Sequence, residues 1–212
     1  TTHCALSYVD LAASQGDEVA QAMLSVPQLT APGAVEDLLL LPSFLYLPHP
    51  DELAAADLVL PWGGDPGVIV GEMARRVGAQ TPIRLVSSAK SWLCHPGVDR
   101  RAAILPAAAP EDEVARISPY DASLLYLRHL RDAWNQAHPD HELAVQEVAV
   151  TVPASFDPAA RELTAEAAKA VGFDRLVLLE EPQAALYSWI HETGGEWRNQ
   201  VRVGDLILVI DV

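Results

Sequence analysis

Long apolar runs, paired cysteines, an excess of positive charge and internal repeats are all missing from these 212 residues. A membrane-spanning helix needs about 18 or more consecutive apolar residues, and none occurs. The apolar run from Leu38 to Leu47 is broken by Pro42 and reads as a buried strand with its approach. Cys4 and Cys94 stand alone, with no disulfide framework, no paired metal motif and no secretory segment, so a reducing cytoplasm is the expected compartment. Lys and Arg number 14 against 29 Asp and Glu, a formal net charge of −15. That balance argues against nucleic acid and anionic membranes as partners, and any phosphate ligand would have to be held by local donors and a metal. The sequence also has no initiating Met: it opens on Thr1-Thr2 and stops at Asp211-Val212, and is expected to be a piece of a longer protein.

What is present is 50% apolar and 20% charged, enough to bury a core as one large domain or two small ones. The most informative stretch runs from Val148 to Leu186. Val148, Val150 and Val152 alternate with Ala149 and Thr151, which predicts a strand, and Pro153 ends it because proline has no N–H to give a ladder. Asp157-Pro158 supplies a capping oxygen and a first helical residue that needs no N–H, so a helix is expected there, with Leu163, Ala167, Ala170 and Val171 on its apolar stripe. Gly172 suits the left-handed residue that closes such a helix. Leu176 to Leu179 predicts a second strand, and Glu181-Pro182 opens another helix. Two consecutive strand–helix units predict a parallel α/β layer, whose ligands sit at the carboxyl ends of the strands, where Pro153, Ser155, Glu180 and Glu181 fall.

This stretch resembles the seventy-kilodalton heat-shock (DnaK-type) chaperones. In that family a strand ends Val-Pro-Ala-Tyr-Phe before a helix carrying an Arg, and a later strand ends Asn-Glu-Pro-Thr-Ala-Ala. The counterparts here are Val152-Pro153-Ala154-Ser155-Phe156, Arg161, and Glu180-Glu181-Pro182-Gln183-Ala184-Ala185. The resemblance implies that Pro153 is the nucleotide-sensing proline, Arg161 a relay for interdomain signalling, and Glu181 the carboxylate that positions water. Ser155, Glu180 and Gln183 depart from the usual Tyr, Asn and Thr.

Elsewhere the match is thinner but in order. Thr1-Thr2-His3-Cys4 looks like the family's first phosphate hairpin entered in mid-motif, which makes Thr1 and Thr2 the cofactor-binding hydroxyls beside the phosphates. Residues 11–41 read as a connecting hairpin with an insertion. Leu41-Pro42-Ser43 resembles the strand that leads to the upper subdomain, and Val70-Gly71 with Ala74 resembles a later family segment. Ile83 to Leu93 aligns with the segment carrying the catalytic lysine, here Lys90. On its own Lys90 would read as a solvated helix charge. As a movable point charge it suits the needs of phosphoryl transfer. Arg100-Arg101 and Ala102 to Pro110 read as surface loop. Ser118-Pro119-Tyr120-Asp121 starts a helix with a stripe of Leu124, Leu127, Leu130, Trp134 and Ala137. His138, Asp140 and His141 read as a helix-to-strand loop rather than a metal site. Glu196 to Val203 reads as a hairpin or loop. Leu206 to Ile210 reads as a strand buried on both faces, ending at Asp211, which matches the second metal-proximal carboxylate and is both a catalytic and a metal candidate.

The resemblance implies a ribonuclease H-like (actin-like ATPase) α/β lobe with an inserted smaller α+β subdomain. Its core would comprise residues 1–47 and 118–200, the insert 48–117, and the first strand of a second lobe 201–212. It implies an ATP-binding, ATP-hydrolysing chaperone module that uses Mg²⁺, with unfolded client polypeptides and co-chaperones engaged elsewhere. The 212 residues alone are expected to bind ATP weakly and not to hydrolyse it. A sugar-kinase-like phosphotransferase would share Thr1, Thr2 and Asp211 but not the set Lys90, Pro153 and Glu181. A nucleotide-binding scaffold without turnover is the other alternative.

Overall fold

The computed structural model describes residues 2–14, 19–63, 67–110 and 114–209, and it is a mixed α/β protein. The short strands β1 (His3–Cys4) and β2 (Ser7–Val9) are followed by β3 (Gln21–Met23), β4 (Val26–Ala31) and β5 (Ala34–Leu38). β2 pairs with β3, and β4 with β5, both antiparallel. Thus the loosely patterned stretch 11–41 contains a true hairpin, turned at Gly33, whose φ of 69° a side chain would disfavour. β6 (Leu41–Pro42) runs back along β1, and β7 (Leu45–Tyr46) lies between β8 (Ile69–Val70) and β9 (Leu85–Val86) in a three-stranded sheet. Helix α1 (Glu72–Gln80) covers β4 and β7. The buried Gln28 side chain ties them together: its Oε1 accepts from Glu72 N at 3.0 Å and its Nε2 donates to Leu40 O at 3.0 Å. A Cβ at Gly71 would stand 2.6 Å from that Oε1, so the approach needs glycine.

After the five-residue α2 (Ala89–Leu93) the chain reaches α3 (Pro119–Ala137), then β10 (Glu147–Val152), α4 (Pro158–Ala170), β11 (Arg175–Glu180), α5 (Glu181–Glu192) and the short α6 (Trp197–Gln200). From β10 to α5 every expected element forms where its pattern and punctuation place it. β10 and β11 pair in parallel, with Val148 opposite Leu176 and Val152 opposite Glu180. Gly172 closes α4 at φ 93°, with Gly172 N bonded to Lys169 O and Phe173 N to Ala168 O.

Four expectations are corrected. On α3 the buried face is Ala122, Tyr126, His129, Leu130, Ala133 and Trp134, while Leu124 and Leu127 are only half-buried, because the helix packs between two core clusters rather than against one. The Ala/Pro-rich run is not simply surface: Leu105, Pro106 and Ala109 are buried, and Leu105 packs beside Leu45 and Val86. The expected terminal strand is absent from the described part of its range. Residues 201–209 form no strand, and Leu206 and Leu208 are 100% and 81% exposed. An apolar β-branched run becomes a strand only with a ladder to join, and no described strand lies beside this one. Glu196 to Val203, expected as a hairpin or loop, holds the short helix α6.

The α3 start is a reciprocal cap. The buried Ser118 Oγ accepts from Asp121 N at 2.9 Å and donates to Asp121 Oδ2 at 2.6 Å. Ser118→Ala is therefore expected to cost about 1 kcal/mol and to lower the melting temperature by about 2–4 °C. Circular dichroism melts check this, and an unchanged midpoint would show that the cap contributes nothing.

Candidate functional site

The site begins where β10 stops. Pro153 O accepts from Phe156 N at 3.1 Å, which folds residues 153–156 into a turn, and Asp157 Oδ1 then caps α4 by accepting from Ala160 N at 2.7 Å. Because β10 and β11 are parallel and in register, this turn lies at the same edge as Glu180 and Glu181, the last strand residue and first helical residue of the next unit. Beneath that edge, Val152, Phe156 and Ala160 form a buried cluster with Leu93, the last residue of α2. Burying Leu93 thus seats α2 against the strand ends, and α2 carries Lys90.

Lys90 Nζ forms an ion pair with Glu181 Oε1, across a sequence separation of 91 residues. Their side chains are 27% and 23% exposed, shielded enough to be oriented and open enough for a ligand to reach. The ammonium also lies 5.9 Å from the centre of the Phe156 ring. One residue earlier, Glu180 Oε1 accepts from both terminal nitrogens of Arg161 at 3.1 and 3.2 Å. Consecutive carboxylates therefore take cations from two different helices.

A further pair had no signal in the sequence. Arg100, expected in a surface loop, has a side chain only 10% exposed and holds Asp157 with two bonds, Nη1 to Oδ1 at 2.8 Å and Nη2 to Oδ2 at 2.6 Å. Asp157 announced itself only as a helix cap, and nothing in an Arg-Arg dipeptide says which carboxylate 57 residues later will meet it.

Thr2 lies on the first strand's approach. It is exposed, its carbonyl accepts from Ser43 N at 2.9 Å, and its hydroxyl is bonded to His3 Nδ1 at 3.0 Å. The neighbouring Cys4 thiol is pushed up by burial, against a hydrogen bond with Ser43. Thr1 and Asp211 lie outside the described residues. Among the described residues no group of three or more His, Cys, Asp or Glu could hold a metal. The loop 138–141 is packed instead: the His138 ring lies 4.2 Å from that of Trp134, and Trp134 Nε1 donates to His141 O. A concavity of about 380 Å³ between Leu58, Trp62, Val70 and His129 is lined by none of Thr2, Lys90, Pro153, Arg161 or Glu181. Among the described residues no helix is long and apolar enough to cross a membrane.

Residues 67–206, from β8 to beyond α6, match the family model described as Hsp70 protein. The chain belongs to the Hsp70 family. It is similar to the "Chaperone protein HscA homolog" of Shewanella loihica, 35% identical over 141 residues that make up 61% of this chain and 22% of that protein. The protein of the same description from Acidithiobacillus ferrooxidans is 33% identical over 144 residues, 63% of this chain and 22% of the relative. The "Chaperone protein HscA" of Yersinia pseudotuberculosis is 33% identical over 141 residues, 61% and 21%. This Hsp70-family chain thus spans about a fifth of the length of the curated relatives it matches.

The Arg100 guanidinium, and after it the Ala160 N–H, hold the Asp157 carboxyl down to about 2 from an ordinary 3.8. A carboxyl depressed by folding stabilises fully above its unfolded value and loses that contribution as pH falls through its folded one. Asp157→Asn keeps a capping oxygen but cannot ionise. The stability gap between the protein and this variant should be constant above pH 3.8 and shrink as pH falls towards 2. Denaturant melts across that range check it, and a gap that did not narrow would show that Arg100 does not act on this carboxylate.

Proposed function

We propose that this chain is the ATP-binding and ATP-hydrolysing module of a DnaK-like molecular chaperone, the first lobe of an actin-like, ribonuclease H-like ATPase. In this reading residues 1–47 and 118–200 are the core of the lobe, 48–117 the inserted subdomain, and 201–212 the start of a second lobe. The observation that carries it is the contact between Lys90 and Glu181 at the carboxyl ends of β10 and β11. An ammonium and a carboxylate brought together there, both partly open to solvent, are the donor set that a phosphate oxygen and an attacking water need.

Mg-ATP would supply the γ-phosphoryl group and the metal charge that offsets its negative oxygens. Lys90 would turn its ammonium from Glu181 to the phosphate, a movement that its flexible stem allows. Glu181, released from the cation, would accept a hydrogen bond from water and orient it. The hydroxyls and backbone N–H groups of Thr1 and Thr2 would bind phosphate oxygens, and Asp211 would hold the metal through water. Pro153 and Arg161, at the end of β10 and on α4, would carry the nucleotide state towards the rest of the protein. Client polypeptides and co-chaperones would engage parts of the protein beyond these residues. The free Cys4 and Cys94 support a reducing, cytoplasmic setting.

A scaffold that binds nucleotide without chaperone turnover is favoured by one feature: Glu180, where the family has Asn, occupies Arg161. Steady-state ATP turnover by the full-length protein, with and without unfolded peptide, separates the two readings. For the chaperone, peptide raises turnover, and Lys90→Ala cuts it by about two orders of magnitude or more while ATP affinity stays within about threefold, because the cation acts on the transition state. Near-normal turnover in Lys90→Ala would make Lys90 a solvated surface charge and remove the basis of the assignment.

A further inference from the structure

Lys90 sits on a helix that cannot hold itself in place. α2 has five residues, its N-cap Ser88 is left-handed at φ 56° and makes no side-chain cap bond, and so short a helix is stable only through its tertiary contacts. Glu181 is a poor anchor for it, because α5, which carries Glu181, has no buried residue. Burial fixes α2 at both ends, Ala89 in one core cluster and Leu93 in another, but apolar contacts are non-directional and leave its rotation about that line free. What sets that rotation, and with it where Lys90 points, has to be a geometrically defined contact at the helix end.

We propose that Arg100 is a positioning residue for Lys90, acting through a guanidinium that joins the end of α2 to the start of α4. The proposal rests on the reading of Lys90 given above. Cys94 is the C-cap of α2, and its carbonyl accepts from Arg100 Nη2 at 3.5 Å while His95 O accepts from Nε at 3.4 Å. Nη2 and Nη1, the adjoining edge of the same planar group, grip both oxygens of Asp157, the N-cap of α4, at 2.6 and 2.8 Å. Arg100 is itself held from behind, its carbonyl accepting from Tyr120 N at 3.1 Å. A rigid fork with five donors can satisfy both helix ends together, whereas a lysine ammonium is a point charge with no such plane. α4 is rooted in the core through Ala160, Ala167 and Ala168, so the rotation of α2 is referred to a fixed element. Arg101, one residue on, is the natural comparison: its pair with Glu166 joins the same loop to the same helix, but the two side chains are 51% and 43% exposed, a setting in which an ion pair does little.

The experiment measures kcat for ATP hydrolysis and the Kd for ATP in the full-length protein, with thermal unfolding as the check on folding. Arg100→Ala should lower kcat by about tenfold or more with Kd within about threefold, since misplacing a reacting group by about an ångström has effects of that order. Arg100→Lys should recover little of the loss, and Arg101→Ala should stay within about twofold of the unaltered protein. The decisive measurement is single-turnover hydrolysis by the double variant Lys90→Ala with Arg100→Ala, which should equal Lys90→Ala alone because the second change has nothing left to misplace. A double variant slower by the factor that Arg100→Ala shows alone would overturn the proposal, as would unchanged kcat in a folded Arg100→Ala. If Arg100→Ala does not fold, Asp157→Asn, which keeps the α4 cap, answers the same question with the same outcomes. Near-normal turnover in Lys90→Ala would sink the functional reading, and with it the role of Arg100. Loss in Lys90→Ala without loss in Arg100→Ala would sink this proposal alone.

Discussion

The site depends on where a parallel ladder ends. β10 and β11 run side by side from Glu147 and Arg175, and the pairing stops at Val152 and Glu180 because Pro153 cannot donate the next hydrogen bond and Glu181 has already entered a helix. A ladder in register makes both strands finish on one line, so the residues just beyond them share an edge whatever lies between in sequence. The elements that contribute to that edge then follow from burial and capping. Val152, Phe156 and Ala160 offer an apolar seat that Leu93 fills, which brings α2, and Asp157 offers two oxygens that α4's own N–H groups do not exhaust. One turn of chain therefore stops a strand, starts a helix and receives a third element.

Charge is distributed to match. In a chain of net charge −15, cations are scarce, and the three nearest the strand ends are each spent on a carboxylate: Lys90 on Glu181, Arg161 on Glu180, Arg100 on Asp157. The edge is thus close to local neutrality, not a basic patch, and long-range attraction cannot concentrate an anion there. Any phosphate must displace a carboxylate from a cation, and only groups with some exposure allow it. Lys90 is 27% and Arg161 31% exposed, against 10% for Arg100, whose partner also serves as a helix cap. Geometry sorts the three cations into two that can exchange partners and one that is fixed.

What the sequence disclosed and what it did not divide along one line. β10 to α5 was legible because each boundary is set by a neighbour in sequence: Pro153 and Asp157-Pro158, then Gly172 and Glu181-Pro182, whose effects act over one turn of backbone. Arg100 was illegible because its role is decided by a residue 57 positions away, and the dipeptide Arg100-Arg101 holds one side chain that is nearly buried and one that is exposed. Pro106 and Ala109 are buried although small and ring-closed side chains carry little hydrophobic signal, and Leu105, which packs beside Leu45 and Val86, is a lone leucine in that run with no periodic partner to mark it. The strand expected from Leu206 to Ile210 failed in the opposite sense over its described residues, 206–209. Its composition states a preference for strand correctly, but a strand is a relation between two segments, and composition describes one.

The placement of Glu180 before Glu181 has a consequence of its own. Glu180 is extended, with φ −72° and ψ 138°, and Glu181 begins α5, so a single peptide unit links the carboxylate that holds Arg161 to the one that holds Lys90. α5 has no buried residue to resist a tilt, whereas β11 is fixed by its ladder with β10. A tilt of α5 about this junction would shift Glu181 relative to Lys90 while leaving Glu180 where β11 sets it. An amide at position 180 could still accept from Arg161 through its oxygen, but it could form no ion pair. With a carboxylate there, Arg161 is retained by charge as well as by geometry. The carboxylate at Glu180 therefore joins α4 to the end of β11 by an ion pair, and a tilt of α5 would change the contact between Lys90 and Glu181 while leaving that pair in place.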